Sequence, residues 1–327
     1  MTPMSLMNPT NPTSTAEKRT GLRRRAASAA LAIAGLCVAA FAAQAQTPPQ
    51  TTFATPELAA KALVAAVQAN QQDKIAAILG PEMMKDLNNL TPEEQTRDSA
   101  IFLQIAKEKV KVEPDPDDSA KAIAYFGAKE WPFPAPLVKQ GGWHFDGAAG
   151  VEEMHDRLIG SNELNAIDSC YGYVEAQKDY ASDDWMDDGV LQYAQRVVST
   201  QGKKDGLYWS NADGGPLSPL GPFIAETGIT PDGKPQPYQG YYFKILTAQG
   251  DSARGGARSY IVDGRMVLGF ALVAWPAEYG KTGVYTFIVN QLGVVYQKDL
   301  GAQTSTEASA ITKFDPDKSW QPVSDDD

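Results

Sequence analysis

Two blocks in the second half of the chain, residues 240–250 and 269–280, most constrain what this sequence can fold into. Both are rich in aromatic and β-branched residues and both are bounded by glycine, which favours short extended strands over helices. The dipeptide Asp263-Gly264 lies between apolar runs and is the strongest short signal for a hairpin in the chain. We therefore expect an antiparallel meander of four or five strands, with strands at residues 241–247, 259–262, 266–275, 283–290 and 294–297.

A long helical pattern precedes this meander. Residues 151–181 have a helical period, and Gly160 divides the pattern into two segments. In the second segment the apolar residues alternate three and four apart, which predicts a narrow seam lying across a sheet. The seam is formed by Leu164, Ile167, Tyr171 and Val174.

The N-terminal part of the chain begins with helices and then changes to strands. Thr55-Pro56 predicts a helix start, and Thr91 with Glu94 predicts a capping box. Strand patterns follow at residues 110–114, 122–126, 131–138 and 143–145. The predicted fold is α+β, with N-terminal helices and a small curved antiparallel sheet, then a long helix packed on the C-terminal antiparallel meander.

Residues 1–45 have the features of an export signal rather than of a folded domain. Three arginines at 23–25 precede a short apolar stretch at 26–42, and residues 43–45 (Ala-Gln-Ala) match a cleavage site. We expect a mature periplasmic or secreted chain with no stable membrane insertion. An uncleaved anchor, lipidation of Cys37, and export by either the Sec or the twin-arginine route are the alternatives that stay open.

After the leader the chain is long enough for two lobes. We assign residues 46–54 to a linker, 55–150 to an α+β lobe, 151–323 to a helix-plus-sheet lobe and 324–327 to an acidic tail. The whole chain has 29 basic and 40 acidic residues, a net charge of −11, and most of the charged residues in the leader are basic. So acidic a mature protein is poorly suited to binding nucleic acid or anionic lipid.

The common motifs of catalysis are absent from the sequence. We find no G-x-S-x-G elbow, no P-loop and no dinucleotide fingerprint, and we expect no cofactor apart from the metal considered below. His144 and His155 belong to no helical metal pair, which favours structural or surface roles. Cys170, the one cysteine after the leader, lies beside the predicted seam and is interpreted as a small buried apolar residue.

An acidic loop is the candidate metal site. Its carboxylates precede a glycine, as in part of a calcium loop, but Met186 occupies a position where an oxygen ligand is needed. Two interpretations stay open, a solvated acidic loop and a calcium site. The candidate ligands are Asp183, Asp184, Asp187 and Asp188.

A set of aromatic residues between 208 and 242 suggests either a ligand or partner surface or the core of a β-sheet. Both interpretations rest on residue type alone. The residues are Tyr208, Trp209, Tyr238, Tyr241 and Tyr242.

Several long motifs, in the same order along the chain, resemble a bacterial exported family catalogued as domain of unknown function 2950. The resemblance covers nearly all of residues 52–323 and implies export from a Gram-negative-type cell, with no established activity. The motifs lie at residues 131–138, 157–167, 193–196, 206–209, 218–221, 240–250, 271–280 and 296–301.

Two weaker resemblances concern the fold of each lobe. The N-terminal lobe resembles a small NTF2-like domain, and residues 161–300 are similar to the globular part of type IV pilins. Pilins place a hydrophobic helix directly after a processing motif, and that motif is missing from residues 21–45, so assembly into a pilus is not implied.

These observations favour a non-enzymatic binding or protein-interaction module with an unknown protein or small-molecule partner in the cell envelope. The alternative is a periplasmic hydrolase whose site combines dispersed carboxylates and tyrosines that spacing cannot reveal.

Overall fold

A computed structural model describes residues 50–211, 214–221 and 236–324. The predicted leader and most of the predicted acidic tail lie outside these ranges. The described residues divide into two compact units, one ending at His155 and the other beginning at Asp156. The fold class is the predicted one: helices and an antiparallel sheet come first, followed by a long helix and a C-terminal antiparallel meander.

The N-terminal unit contains four helices followed by five short strands. The helices are α1 (Pro56–Gln68), α2 (Gln72–Leu79), α3 (Pro81–Leu87) and α4 (Pro92–Glu108). The strands are β1 (Val110–Pro114), β2 (Lys121–Phe126), β3 (Trp131–Pro132), β4 (Leu137–Lys139) and β5 (Trp143–Phe145).

The starts of two helices in this unit are fixed by N-terminal capping residues that the sequence predicts. The Thr55 side chain accepts a hydrogen bond from the backbone N–H of Leu58 at the start of α1. At the start of α4, Thr91 and Glu94 form the predicted capping box. Each arrangement satisfies backbone donors that have no partner inside the helix, which fixes where the helix begins.

The sheet of the N-terminal unit is antiparallel, in the order β1-β2-β4-β5, with β3 also paired to β2. Its core includes Phe102, Phe126, Phe133 and Phe145, whose rings meet edge to face or tilted. The described end of the predicted linker is anchored in this unit, because Phe53 pairs with Trp143. The side-chain amide of Gln50 donates to two backbone carbonyls, those of Ile78 and Phe145.

The long helix α5 runs without a break from Gly147 to Tyr180. The predicted division at Gly160 is therefore wrong, since an exposed helix interior tolerates one glycine at a modest cost. The predicted seam is also partly wrong, because Leu164 is 46% and Tyr171 36% exposed. The buried face beyond Asp156 is shifted around the helix and is formed by Ile159, Asn162, Ala166, Cys170, Tyr173, Val174, Ala176, Gln177 and Tyr180.

The C-terminal unit is built on a five-stranded antiparallel sheet in the order β14-β13-β12-β11-β6. These strands are β6 (Tyr241–Leu246), β11 (Ala271–Pro276), β12 (Tyr285–Asn290), β13 (Tyr296–Asp299) and β14 (Gln321–Pro322). Short strands between them are β7 (Ala248–Gln249), β8 (Arg258–Ser259), β9 (Ile261–Val262) and β10 (Arg265–Met266). A 3₁₀ turn and helix α6 (Thr304–Ala310) precede β14.

Two of the predicted strands, 259–262 and 266–275, are each divided into two shorter strands. The predicted hairpin at Asp263-Gly264 is present and joins β9 to β10, with φ of 47° and 79° at the two turn residues. The predicted strand 266–275 breaks at Gly269, whose φ is 141°. A Cβ atom there would meet the side chains of Gln291 and Tyr260 at 2.8 and 2.9 Å, so the close approach requires glycine.

The interior strand β11, which lies between β12 and β6, is buried along its whole length. This explains why residues 271–276 read as a continuous apolar run rather than an alternating one. Within the described residues, no helix is long and apolar enough to cross a membrane.

Candidate functional site

The loop after α5 and the segment 206–209 bring three aromatic rings together. The ring centroids of Trp185 and Trp209 are 4.8 Å apart, and Tyr180 lies 6.5 Å from each. Trp209 is buried and its indole N–H donates to the carbonyl of Pro216. Trp185 is half-buried, and its indole nitrogen is fully buried. We call Tyr180, Trp185 and Trp209 the aromatic cluster.

A lysine cation lies over the aromatic cluster. The Nζ atom of Lys204 is 4.8 Å from the ring centroid of Trp185 and 5.7 Å from that of Trp209. The backbone carbonyl of Lys204 accepts a 2.6 Å hydrogen bond from the hydroxyl of Tyr180, which ties this segment to the end of α5. In the part of the chain that the structure describes, Lys204 has no carboxylate at ion-pair distance. The ring faces therefore hold an ammonium group through their quadrupoles.

Carboxylates near the cluster give it a negative electrostatic potential. Burial raises the pKa of the Tyr180 hydroxyl to about 12, and the negative charges of Asp205, Asp184 and Asp188 add to this effect. A phenolate would be poorly solvated and repelled by these carboxylates, so the neutral form is favoured. The same field would favour a cation bound at this place.

The acidic loop beside the cluster is organised by its own carboxylates. The two oxygens of the Asp184 carboxylate accept hydrogen bonds from the backbone N–H groups of Asp188 and Gly189, at 3.3 and 2.7 Å. Asp188 forms an ion pair with Arg265, with Oδ2 and Nε 2.8 Å apart. The hydrogen bond from Arg265 lowers the pKa of Asp188 below its usual range. These contacts fix the loop that carries Trp185.

The segment carrying Lys204 is closed by Asp205, whose carboxylate accepts hydrogen bonds from the backbone N–H and hydroxyl of Thr200, at 2.7 and 2.8 Å. Burial opposes ionisation here, but the hydrogen bonds from Thr200 and the nearby Arg196 charge lower the pKa of Asp205 overall. Asp205 is therefore ionised. Its hydrogen bonds to Thr200 fix the turn that contains Lys204.

The predicted calcium ligands lie in this acidic loop. Asp183 and Asp187 are exposed, while Asp184 and Asp188 have the protein partners just described. Across residues 50–211, 214–221 and 236–324, no group of three or more His, Cys, Asp or Glu side chains is placed to hold a metal ion. The calcium site stays a prediction.

The five predicted surface aromatics lie in three different places. Tyr208 and Trp209 follow the Lys204 turn, Tyr238 precedes β6, and Tyr241 and Tyr242 belong to β6. Trp209 and Tyr241 are buried, so these two contribute to packing rather than to a surface. The other three are half-buried.

The remaining sequence candidates are dispersed. His144 lies in β5 with its Nδ1 atom buried, and His155 lies exposed on α5. Cys170 is fully buried in the C-terminal core, as predicted, and burial raises its pKa to about 12. A thiol in this setting is a packing group rather than a nucleophile.

Sequence reasoning missed Tyr180, Trp185 and Lys204. Trp185 lies inside the acidic loop that the sequence singled out, and Lys204 precedes the motif that contains Trp209. The sequence spacing did not indicate that these side chains lie close together, because the two tryptophans are 24 positions apart along the chain. The turn closed by Thr200 and Asp205, together with the hydrogen bond from Tyr180 to Lys204, brings them together.

One family's sequence model matches residues 50–323, and the family is described as a protein of unknown function (DUF2950). The match covers most of the chain, so the chain belongs to this family, as its motifs predict. No curated protein matches the chain. No solved structure matches it either.

Proposed function

Starting from membership of the DUF2950 family, which carries no assigned activity, we propose that the chain is a non-enzymatic protein-interaction module of the cell envelope. Its recognition site is the aromatic cluster, and the group it recognises is a cationic side chain of a partner protein. The observation that carries this proposal is the position of Lys204, whose ammonium lies over the rings of Trp185 and Trp209 without a carboxylate partner among the described residues.

Lys204 acts in this proposal as an internal occupant of a cation site. The energy of an ammonium over an indole is about 0.5–2 kcal/mol, so a ligand cation can compete with it. The carboxylates of Asp184, Asp188 and Asp205 raise the local concentration of cations around the site. Trp185 supplies the ring that lies nearest the cation, and Trp209 and Tyr180 support it from the core.

The export predicted from the sequence is consistent with the same function. The predicted leader at residues 1–45 would deliver the chain to the periplasm or the medium, where stability must come from the core because Cys170 has no cysteine partner after the leader. An acidic exported protein would meet basic segments of envelope proteins with favourable long-range attraction.

The test is isothermal titration of the chain with a synthetic peptide of alternating glycine and lysine. We expect Trp185→Ala to weaken binding about tenfold, because the ring that lies nearest the cation is lost. Lys204→Ala should bind the peptide more tightly than wild type, because the internal competitor is gone.

Trp320→Ala is the matched control. Trp320 is also half-buried and also lies beneath a lysine, with Nζ of Lys298 5.8 Å from its centroid, but it immediately precedes β14 and is not part of the aromatic cluster. Its substitution should leave affinity unchanged. Equal weakening in Trp185→Ala and Trp320→Ala, or none in either, would show only general charge attraction and would overturn the proposal.

The alternative predicted from the sequence, a hydrolase, has its own test. A broad hydrolase screen on the chain would support it if turnover appeared and one carboxylate substitution abolished that turnover. Turnover of this kind would overturn the non-enzymatic part of the proposal.

A further inference from the structure

Strand β6 forms one edge of the five-stranded sheet, because its only ladder partner among the described residues is β11. The carbonyl of Gly240 accepts a hydrogen bond from the N–H of Ala277. This bond determines which residues of β6 direct their backbone groups towards β11. The backbone groups of Tyr242, Lys244 and Leu246 therefore point towards β11. Those of the alternate residues point to the free edge.

The two ends of this free edge are already paired within the chain. The N–H and C=O of Tyr241 both pair with Tyr238, and the carbonyl of Thr247 accepts from Tyr260. Between them, Phe243 and Ile245 direct two N–H and two C=O groups outwards. Among the residues that the structure describes, none of these four groups has a partner. Their spacing matches the main chain of one short extended segment.

Lys244 lies between these two residues. Its Nζ atom donates to the carbonyl of Ser309 at 2.5 Å, and no carboxylate of the described residues lies at ion-pair distance. Burial lowers the pKa of the Lys244 ammonium, so an added negative charge would be favourable there. A residue directly across the edge from Lys244 would have its Cβ about 4.5–5.5 Å away.

We propose that the β6 edge receives an extended segment of a partner protein, paired by its main chain to Phe243 and Ile245, with Asp or Glu opposite Lys244. The paired ends at Tyr241 and Thr247 limit this ladder to the middle of β6. The proposal is independent of the aromatic cluster and concerns main-chain recognition rather than a cation.

A second copy of this chain fits the edge poorly. A two-fold pairing that satisfies both Phe243 and Ile245 pairs each with the other in the partner copy and places Lys244 opposite Lys244. Directly opposed like charges destabilise a strand pair. The occupant is therefore a segment of different sequence that carries an acidic residue.

The experiment uses two fluorescent peptides of alternating threonine and valine, one with glutamate and one with lysine at the centre. Fluorescence anisotropy should show that the wild-type chain binds the glutamate peptide about fivefold more tightly, and that Lys244→Glu reverses this preference. Equal affinities for both peptides, or no binding of either, would overturn the proposal.

A second variant tests the main-chain contacts. Ile245→Pro removes one outward N–H and leaves every hydrogen bond to β11 in place, so it should abolish peptide binding while the chain still unfolds cooperatively. Undiminished binding by Ile245→Pro would overturn the proposal, as would a concentration-dependent dimer that Lys244→Glu disrupts. Trp185→Ala, which lacks the cation site, should bind the glutamate peptide like the wild type and should still prefer it to the lysine peptide, which separates this outcome from that of the cation site.

Discussion

Gln177 illustrates how one buried polar side chain fixes the chain segment that follows a helix and a loop. Its amide accepts from the N–H of Ala194 and donates to the carbonyl of the same residue, each at 2.8 Å, and it also donates to the Tyr173 hydroxyl. The segment after the acidic loop is thereby fixed to α5. Such a contact is invisible in the sequence, where Gln177 is a polar residue in a helix.

We expect Gln177→Ala to lower the free energy of unfolding by about 1–3 kcal/mol, because Ala194 would keep a buried N–H and C=O without partners. Chemical denaturation with urea measures this. The matched control is Lys178→Ala, an exposed neighbour on the same helix, which should change stability little. A Gln177→Ala variant as stable as Lys178→Ala would contradict the role of the buried amide.

Tyr180 should make stability fall at alkaline pH. Its pKa is raised in the folded state to about 12, so its neutral form favours folding. This contribution is fully present below the pKa of an unfolded tyrosine, about 10, and is lost as pH rises from there towards 12. Tyr180→Phe should be less stable near neutrality, since the bond to Lys204 is lost, but should lose less stability between those pH values.

Urea unfolding at several alkaline pH values measures the Tyr180 effect. If wild type and Tyr180→Phe lost stability in parallel above pH 10, the assigned pKa shift would be wrong.

Cys170 should resist thiol reagents in the folded chain, because the group is fully buried and its pKa is raised to about 12. Reaction with an aromatic disulfide reagent should proceed only as fast as the chain opens, and denaturant should accelerate it. Rapid modification of Cys170 in the native protein near pH 8, distinguished from that of Cys37 by peptide mass spectrometry, would contradict this burial.

At the scale of elements, helix α5 is where sequence reasoning and structure differ most. The apolar residues Leu164 and Tyr171 suggested one face, but the buried face is set by small and polar residues such as Ala166 and Gln177. Burial on this helix depends on what the sheet and the following loop present to it. Apolar periodicity alone could not supply that information.

Gly160 provides a direct test of the continuity of α5. A Cβ atom there would meet nothing within 4 Å, and the backbone is helical. Gly160→Ala should therefore raise the free energy of unfolding by about 0.5–1 kcal/mol. Gly264→Ala, in the hairpin turn at φ 79°, should instead destabilise. A destabilising Gly160→Ala would indicate a break in the helix.

The strands were largely predictable because their signals are local. The Asp263-Gly264 turn, the aromatic run of β6 and the apolar run of β11 each appear in a few consecutive residues. The aromatic cluster was not predictable, because its rings come from separate segments joined through long-range contacts. The edge position of β6 likewise depends on strand order, which no local pattern encodes.

The acidic loop offers a test of the calcium interpretation. The oxygens of Asp184 and Asp188 already accept backbone N–H groups, and Asp188 also pairs with Arg265. We therefore expect the unfolding midpoint to be the same in chelator and in excess calcium. A midpoint that rises with calcium concentration would establish the site, since a ligand that binds only the folded state stabilises it by mass action.

At the scale of the whole molecule, both proposals place recognition in the C-terminal unit. The aromatic cluster would bind a cationic side chain, and the β6 edge would pair with the main chain of a partner segment. The N-terminal unit has its own phenylalanine-rich core and supplies no residue to either site. Binding should therefore leave the N-terminal unit unchanged.

The most direct test of the central claim follows the six tryptophan indole N–H signals by NMR during titration with the glycine–lysine peptide. Trp131 and Trp143 lie in the N-terminal unit and serve as internal references. The account predicts saturable shifts of the Trp185 and Trp209 signals with no shift of these references. Shifts of similar size in all six signals, or none at Trp185, would contradict it.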